Sequence, residues 1–140
     1  MSRYFRRDGT PYTGERAVFE WAHDFEDAAK CIVAQESLSD GKWVSTVWTG
    51  LPTNPNAERK LIFETAVFSA HPPDADIIDQ DRYATELEAL QGHNRLVGKW
   101  RRLIRTVEVD VIKMNEPETP TSKSTIALSD GSPRKGRDVL

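Results

Sequence analysis

A chain of 140 residues has room for one domain of ordinary size and little more. Charged residues make up 29% of it and the formal net charge is only -3, so no global field argues for coating nucleic acid or an acidic membrane surface. The single cysteine, Cys31, excludes an intrachain disulfide framework and a cysteine-based zinc cluster, which fits a reducing compartment. No window approaches the roughly 18 apolar residues of a membrane span, and the basic N-terminus has no apolar stretch behind it.

Tyr4-Phe5-Arg6-Arg7, followed by Asp8-Gly9 and Pro11, reads as a short strand entering a turn, because Asp-Gly supplies the positive φ of a tight reversal. From Glu15 the apolar residues Val18, Trp21, Ala22, Phe25, Ala28 and Ala29 recur at threes and fours, which predicts an amphipathic helix over 15–30. A strand over 31–38 should join a second, 42–50, through Ser39-Asp40-Gly41-Lys42, the strongest hairpin signal in the chain. Two prolines and two asparagines make 52–59 a loop, and a third strand is expected near 60–69. His71-Pro72-Pro73 ends it, and an acidic surface loop is expected as far as Asp81.

Thr85 with Glu88 forms a capping box that opens a second helix over 85–105, with Leu87, Leu90, His93, Val97, Trp100 and Ile104 on one face. Lys99, Arg101, Arg102 and Arg105 near its end favour the helix dipole and offer a place for a phosphate. Val107, Val109 and Val111 alternate with Glu108 and Asp110, which suits a further strand, with continuation of the helix as the alternative. Beyond Met114, Pro, Ser and Thr replace the apolar residues and predict a flexible tail. The expectation is an α+β fold: an antiparallel three- to four-stranded meander with two helices on one face, a single domain over 1–114, and a tail over 115–140.

Period-two alternation puts Val44, Thr46 and Trp48 on one face of their strand and Trp43, Ser45 and Val47 on the other. Both sets are largely apolar, so a second copy or the tail is expected over the face the helices leave open. Glu64, between Ile62 and Ala66, is costly to bury unless it is paired. Thr46, the indole N–H of Trp48, Arg82, Tyr83 and His93 are the polar groups that a helix across the sheet can bring to it. These six residues are the candidate binding constellation. A structural role for Glu64 and a core position for His93 are the plainer readings of the same residues. No phosphate-cradling glycine loop, Gly-x-Ser-x-Gly elbow, His-Glu-x-x-His or EF-hand loop occurs, and no metal or cofactor is expected.

Glu20-Trp21-Ala22, Val44-Ser45-Thr46-Val47-Trp48 with Gly50-Leu51, Ile62-Phe63-Glu64-Thr65 with Val67-Phe68, Arg82-Tyr83-Ala84-Thr85 and Gly92-His93 occur in that order. Together they resemble a family of small proteins of tailed bacteriophages and prophages, over roughly residues 3–98. In that family the Val44–Trp48 motif continues into an Asp-His pair and a Gly/Pro-rich loop, whereas here Leu51 is followed by Pro52-Thr53-Asn54-Pro55. An activity resting on that histidine would be missing from this chain. The family brings no activity with it, so the resemblance implies a setting: a phage-encoded accessory protein in the cytoplasm of a bacterial host. Such a protein is expected to act by binding a host factor, a defence component or a signalling nucleotide. The rival readings are a virion component whose tail contacts neighbouring subunits, and a small nucleotide-handling hydrolase using Glu64, His93 and Arg82. A protein partner or self-association is expected, with a small nucleotide as the alternative ligand; nucleic acid and membrane are not.

Overall fold

The hairpin forms where Ser39-Asp40-Gly41-Lys42 announces it. Gly41 takes φ +93°, the Leu38 N–H donates to Lys42 O at 2.7 Å, and the Gly41 N–H donates to Leu38 O at 3.0 Å. It joins β1 (Ile32–Ser37) to β2 (Trp43–Trp48), and the chain continues through β3 (Phe63–Phe68) and β4 (Ile77–Tyr83). Neighbouring strands pair antiparallel in the order β1-β2-β3-β4, so the α+β meander has four strands. The computed structural model describes residues 2–115, and the expected tail lies, from residue 116 onward, outside the described residues. The chain divides into two compact units, 1–105 and 106–140.

The single helix expected over 15–30 is two: α1 (Ala17–Phe25) and α2 (Ala28–Cys31). Asp27 makes the break. Its backbone is extended, with φ -89° and ψ 104°, and its Oδ1 accepts from the Ala29 N–H at 3.0 Å, which caps a new helix start. α1 contains no fully buried residue and leaves Val18, Phe19 and Phe25 exposed. Trp21 is its anchor: Nε1 donates to Thr49 O at 2.8 Å, and the ring lies 4.9 Å from Tyr4 and 5.1 Å from Phe25 between centroids.

The N-terminal strand is reduced to one bridge between Phe5 and Pro11. Phe5 is tied to the end of β2, its N–H donating to Gly50 O at 2.9 Å while the Trp48 Nε1 donates to Phe5 O at 2.9 Å. Only glycine fits at position 50. Its φ is +69°, and a Cβ there would lie 2.6 Å from the Trp48 ring and 2.7 Å from Phe5 O.

β4 replaces the acidic loop expected up to Asp81, because its acids have partners that sequence proximity does not reveal. α3 (Glu86–Asn115) crosses the sheet so that Arg95 reaches Asp81 Oδ2 at 2.6 Å, while Lys99 Nζ and Trp100 Nε1 reach Asp79 Oδ2 at 2.8 and 3.0 Å. Four helical residues advance about 6 Å and two strand residues about 6.7 Å, so Arg95 and Lys99 match Asp81 and Asp79 in spacing. The lysine holds the Asp79 carboxyl below its ordinary range. Neither Lys99 nor Arg101 is free for a phosphate, since Arg101 pairs with Glu36.

α3 begins with the expected box: the Glu88 N–H donates to Thr85 Oγ1 at 3.2 Å and the Thr85 N–H to Glu88 Oε1 at 3.3 Å. Arg7 clamps Glu86 with two hydrogen bonds of 2.7 and 3.0 Å, tying the N-terminal segment to this helix. Leu96, Val97 and Ile104 then pack on Leu38, Val44 and Val67, while Ala89 joins a second cluster with Trp48, Phe63 and Tyr83. The strand proposed near 107–113 is helix instead. Val107, Val111 and Met114 recur at four and three residues, a helical spacing, and all three are exposed. Among the described residues no helix is long and apolar enough to cross a membrane.

Candidate binding face

The register of β2 on β3 decides which polar residues can meet. Thr46 pairs with Thr65 and Val47 with Glu64, so Glu64 faces away from α3. The six candidate residues therefore divide. Thr46, Trp48, Tyr83 and His93 lie on the helix-covered side, and Glu64 and Arg82 on the other. Of the five partners proposed for Glu64 only Arg82, its cross-strand neighbour, reaches it, with Nη2 3.3 Å from Oε2. Both side chains are partly exposed, so the pair contributes at most about 1 kcal/mol. The Trp48 N–H is taken by Phe5 O, and the Tyr83 hydroxyl is buried without a hydrogen-bond partner.

On the covered side the hydroxyls and the imidazole form a sealed chain. Thr65 Oγ1 lies 2.6 Å from Thr46 Oγ1, which lies 2.7 Å from His93 Nδ1, and Nε2 faces the Glu36 carboxylate at 4.0 Å. A carboxylate facing Nε2 favours the tautomer with its proton there, leaving Nδ1 to accept from Thr46, which accepts from Thr65. His93 is only 3% exposed and the two threonines are fully buried, so these groups order the core and do not meet solvent.

Burial lowers the His93 pKa, and the opposing Glu36 carboxylate does not restore it. An unfolded histidine takes its proton as the pH falls through about 6.5, whereas folded His93 does so only lower, so stability is full above that value and falls on acidification beneath it. The slope is at most about 1.4 kcal/mol per pH unit. The Asp79 and Glu86 carboxyls, lowered from 3.8 and 4.5 by their Lys99 and Arg7 partners, lose their contributions only further down. Urea unfolding at about pH 7.5 and about pH 5.5 should show wild type losing stability and His93→Gln losing much less. Equal losses in both proteins would refute the role given to His93.

The other side of the sheet carries no helix among the described residues. Its side chains lie in three rows across the strands: Ser37–Trp43–Phe68–Ile77, then Gln35–Ser45–Ala66–Gln80, then Ile32–Val47–Glu64–Arg82. The middle row is small at its centre, so Ser45 and Ala66 floor a trough between an apolar ridge and a mixed one. Trp43 and Phe68 stand 5.5 Å apart between ring centroids, and His71 stacks on Trp43 at 5.3 Å. Beside Arg82, between the loop at 53–61 and β4, opens a hollow of about 410 Å³ lined by Thr53, Asn54, Arg59, Leu61 and Gln80.

Trp43, Phe68, His71 and Ser37 were absent from the constellation read off the sequence. The signal for them was the second apolar set of β2 and β3, which pointed to a covered face and not to individual residues. Ser37 Oγ lies 2.7 Å from His71 Nε2, a serine–histidine contact, but among the described residues the imidazole is held by stacking on Trp43 and not by a carboxylate. The remaining ingredient of nucleophilic catalysis, a group orienting the base, is therefore not what fixes this ring. Cys31 is buried and its thiol pKa is raised, chiefly by burial, which suits an inert core residue. Among the described residues no group of three or more histidine, cysteine or carboxylate side chains could hold a metal ion. No protein-family model matches the chain, and no curated protein or solved structure is significantly similar to it.

Proposed function

We propose that this protein acts by binding another protein through the uncovered face of its sheet and not by catalysis, and that it is a bacteriophage-encoded accessory protein whose partner is a host factor or defence component. The trough carries this reading. Its two ridges are four residues apart on the central strands β2 and β3, about 13 Å, and an α-helix with its side chains is about 10–12 Å across. Aliphatic residues of a partner helix would meet Trp43, Phe68 and Ile77, and its polar flank would meet the Glu64–Arg82 pair. His93 is sealed beneath α3, on the side of the sheet opposite Glu64 and Arg82, which speaks against a hydrolase built on these three residues. The phage setting is supported by the ordered motifs from Glu20-Trp21-Ala22 to Gly92-His93.

The test compares proteins held from host lysate by the full chain with those held by Phe68→Asp on the ridge and Ser39→Arg on the hairpin turn. Proteins retained by wild type and Ser39→Arg but lost by a folded Phe68→Asp are the expected result. Identical retention by all three, or a bound nucleotide with no protein in native mass spectrometry, would overturn the reading.

A further inference from the structure

The two edges of the sheet are finished differently. On β4 the Gln80 N–H donates to Asp79 Oδ1 at 2.9 Å and the Arg82 N–H to Asp81 Oδ1 at 2.8 Å, so these two edge amides are already occupied. A strand adding there would have to displace carboxylates that α3 also holds. On β1 the Leu38 N–H donates inward to Lys42 O, and the alternation of an antiparallel ladder then turns Glu36 and Ala34 inward and the backbone groups of Gln35 and Ser37 outward. The two side chains that could fold over this edge are engaged elsewhere: Gln35 Nε2 donates to Ser45 Oγ at 3.3 Å, and Ser37 Oγ contacts His71. At the other end Arg7 takes the carbonyls of Lys30 and Ile32 and closes the edge there. The open length runs from Val33, the extra residue of a bulge in β1, to Ser37, with regular alternation from Ala34 onward.

We propose that this edge pairs antiparallel with the same edge of a second copy, joining two four-stranded sheets into one of eight strands. The sequence of the open length is self-complementary in the register centred on Gln35. That register uses the whole open length, sets Ser37 across from Val33, and sets Glu36 across from Ala34. A shift to a centre at Glu36 would bring two carboxylates directly opposite each other, which is unfavourable. In the Gln35-centred register each Glu36 keeps its own Arg101, so no unpaired charge enters the joint. The pairing does not depend on the trough being occupied. Its consequence for the trough is that the floor, Gln80–Ala66–Ser45–Gln35, runs on through Gln35 into the floor of the second copy.

Light scattering on a size-exclusion column, over a concentration series of the full chain, tests the pairing independently of any partner. The expected result is a species of twice the 15.8 kDa chain mass. Gln35→Pro removes an outward amide and leaves the inward ladder intact, and should give a single chain. Gln35→Lys sets two ammonium groups opposite each other and should raise the dissociation constant roughly tenfold or more, less so at high salt. Gln80→Pro on the other edge should leave the mass doubled. A wild type that stays a single chain throughout the series overturns the proposal. So does a Gln35→Lys protein with native circular dichroism that associates as tightly as wild type, which keeps the test decisive even if the proline variant fails to fold.

Discussion

Trp48→Ala should lower the unfolding free energy by about 3–5 kcal/mol, the cost of emptying a large aromatic site in a core. The ring is 1% exposed and packs with Phe63, Tyr83 and Cys31 in the cluster that also receives Ala89 of α3. Its loss has a second effect. The indole N–H is the donor to Phe5 O, and Phe5 in turn donates to Gly50, so the N-terminal segment loses one of the bonds that hold it against the end of β2. Trp48→Phe separates the two effects, because it restores most of the volume and leaves the Phe5 carbonyl without that donor. Urea unfolding followed by far-ultraviolet circular dichroism should rank the proteins wild type, phenylalanine, alanine. A loss under about 1 kcal/mol for alanine would place Trp48 at a surface.

Gly92→Ala should also destabilise, by about 1–3 kcal/mol, although alanine is the better helix former by about 1 kcal/mol. The reason is steric. A Cβ at position 92 would stand 2.2 Å from three atoms of the Tyr83 side chain, which is buried in the row Trp48–Phe63–Tyr83. That ring has nowhere to retreat without opening the core, and its hydroxyl already lacks a hydrogen-bond partner. A double-mutant cycle with Tyr83→Ala isolates the contact. In that background the Cβ has room and Gly92→Ala should be neutral or stabilising, as for a helical glycine with no atom in its way, so the coupling should be on the order of 1–3 kcal/mol. Additive effects would mean that Gly92 is not there to admit Tyr83.

The features that could be read along the chain were those whose causes are local. The Asp40-Gly41 reversal, the Thr85–Glu88 box and the alternation in β2 and β3 each depend on residues within a few positions of one another. β4 was misread because its identity is settled at long range: Asp79 and Asp81 look like loop residues until Lys99, Trp100 and Arg95 stand over them. The candidate constellation failed for a related reason. Which residues share a face is legible within each strand, but the phase of β3 against β2 is not, because the loop between them does not fix a register as a two-residue turn does. One residue of slip would have put Glu64 opposite Thr46 and under His93. The observed phase puts Thr65 there, and with it goes the case for a carboxylate–histidine pair. In the segment 106–115 two of the alternating valines, Val107 and Val111, also form a four-and-three spacing with Met114, and the helix prevailed.

The paired acids of β4 have a consequence for how the chain is made. Every described strand pairs with its neighbour in sequence, so the meander can close hairpin by hairpin as it leaves the ribosome, and even the long connection between β2 and β3 adds little, because closure entropy grows only slowly with loop length. α3 is synthesised afterwards. During that interval Asp79 and Asp81 have no Lys99 or Arg95 to meet, and two bare carboxylates on the newest strand hold it in water, where an apolar strand would seek another nascent chain. The same two residues thus serve twice in time, first repelling wrong partners and then receiving the helix that completes the domain.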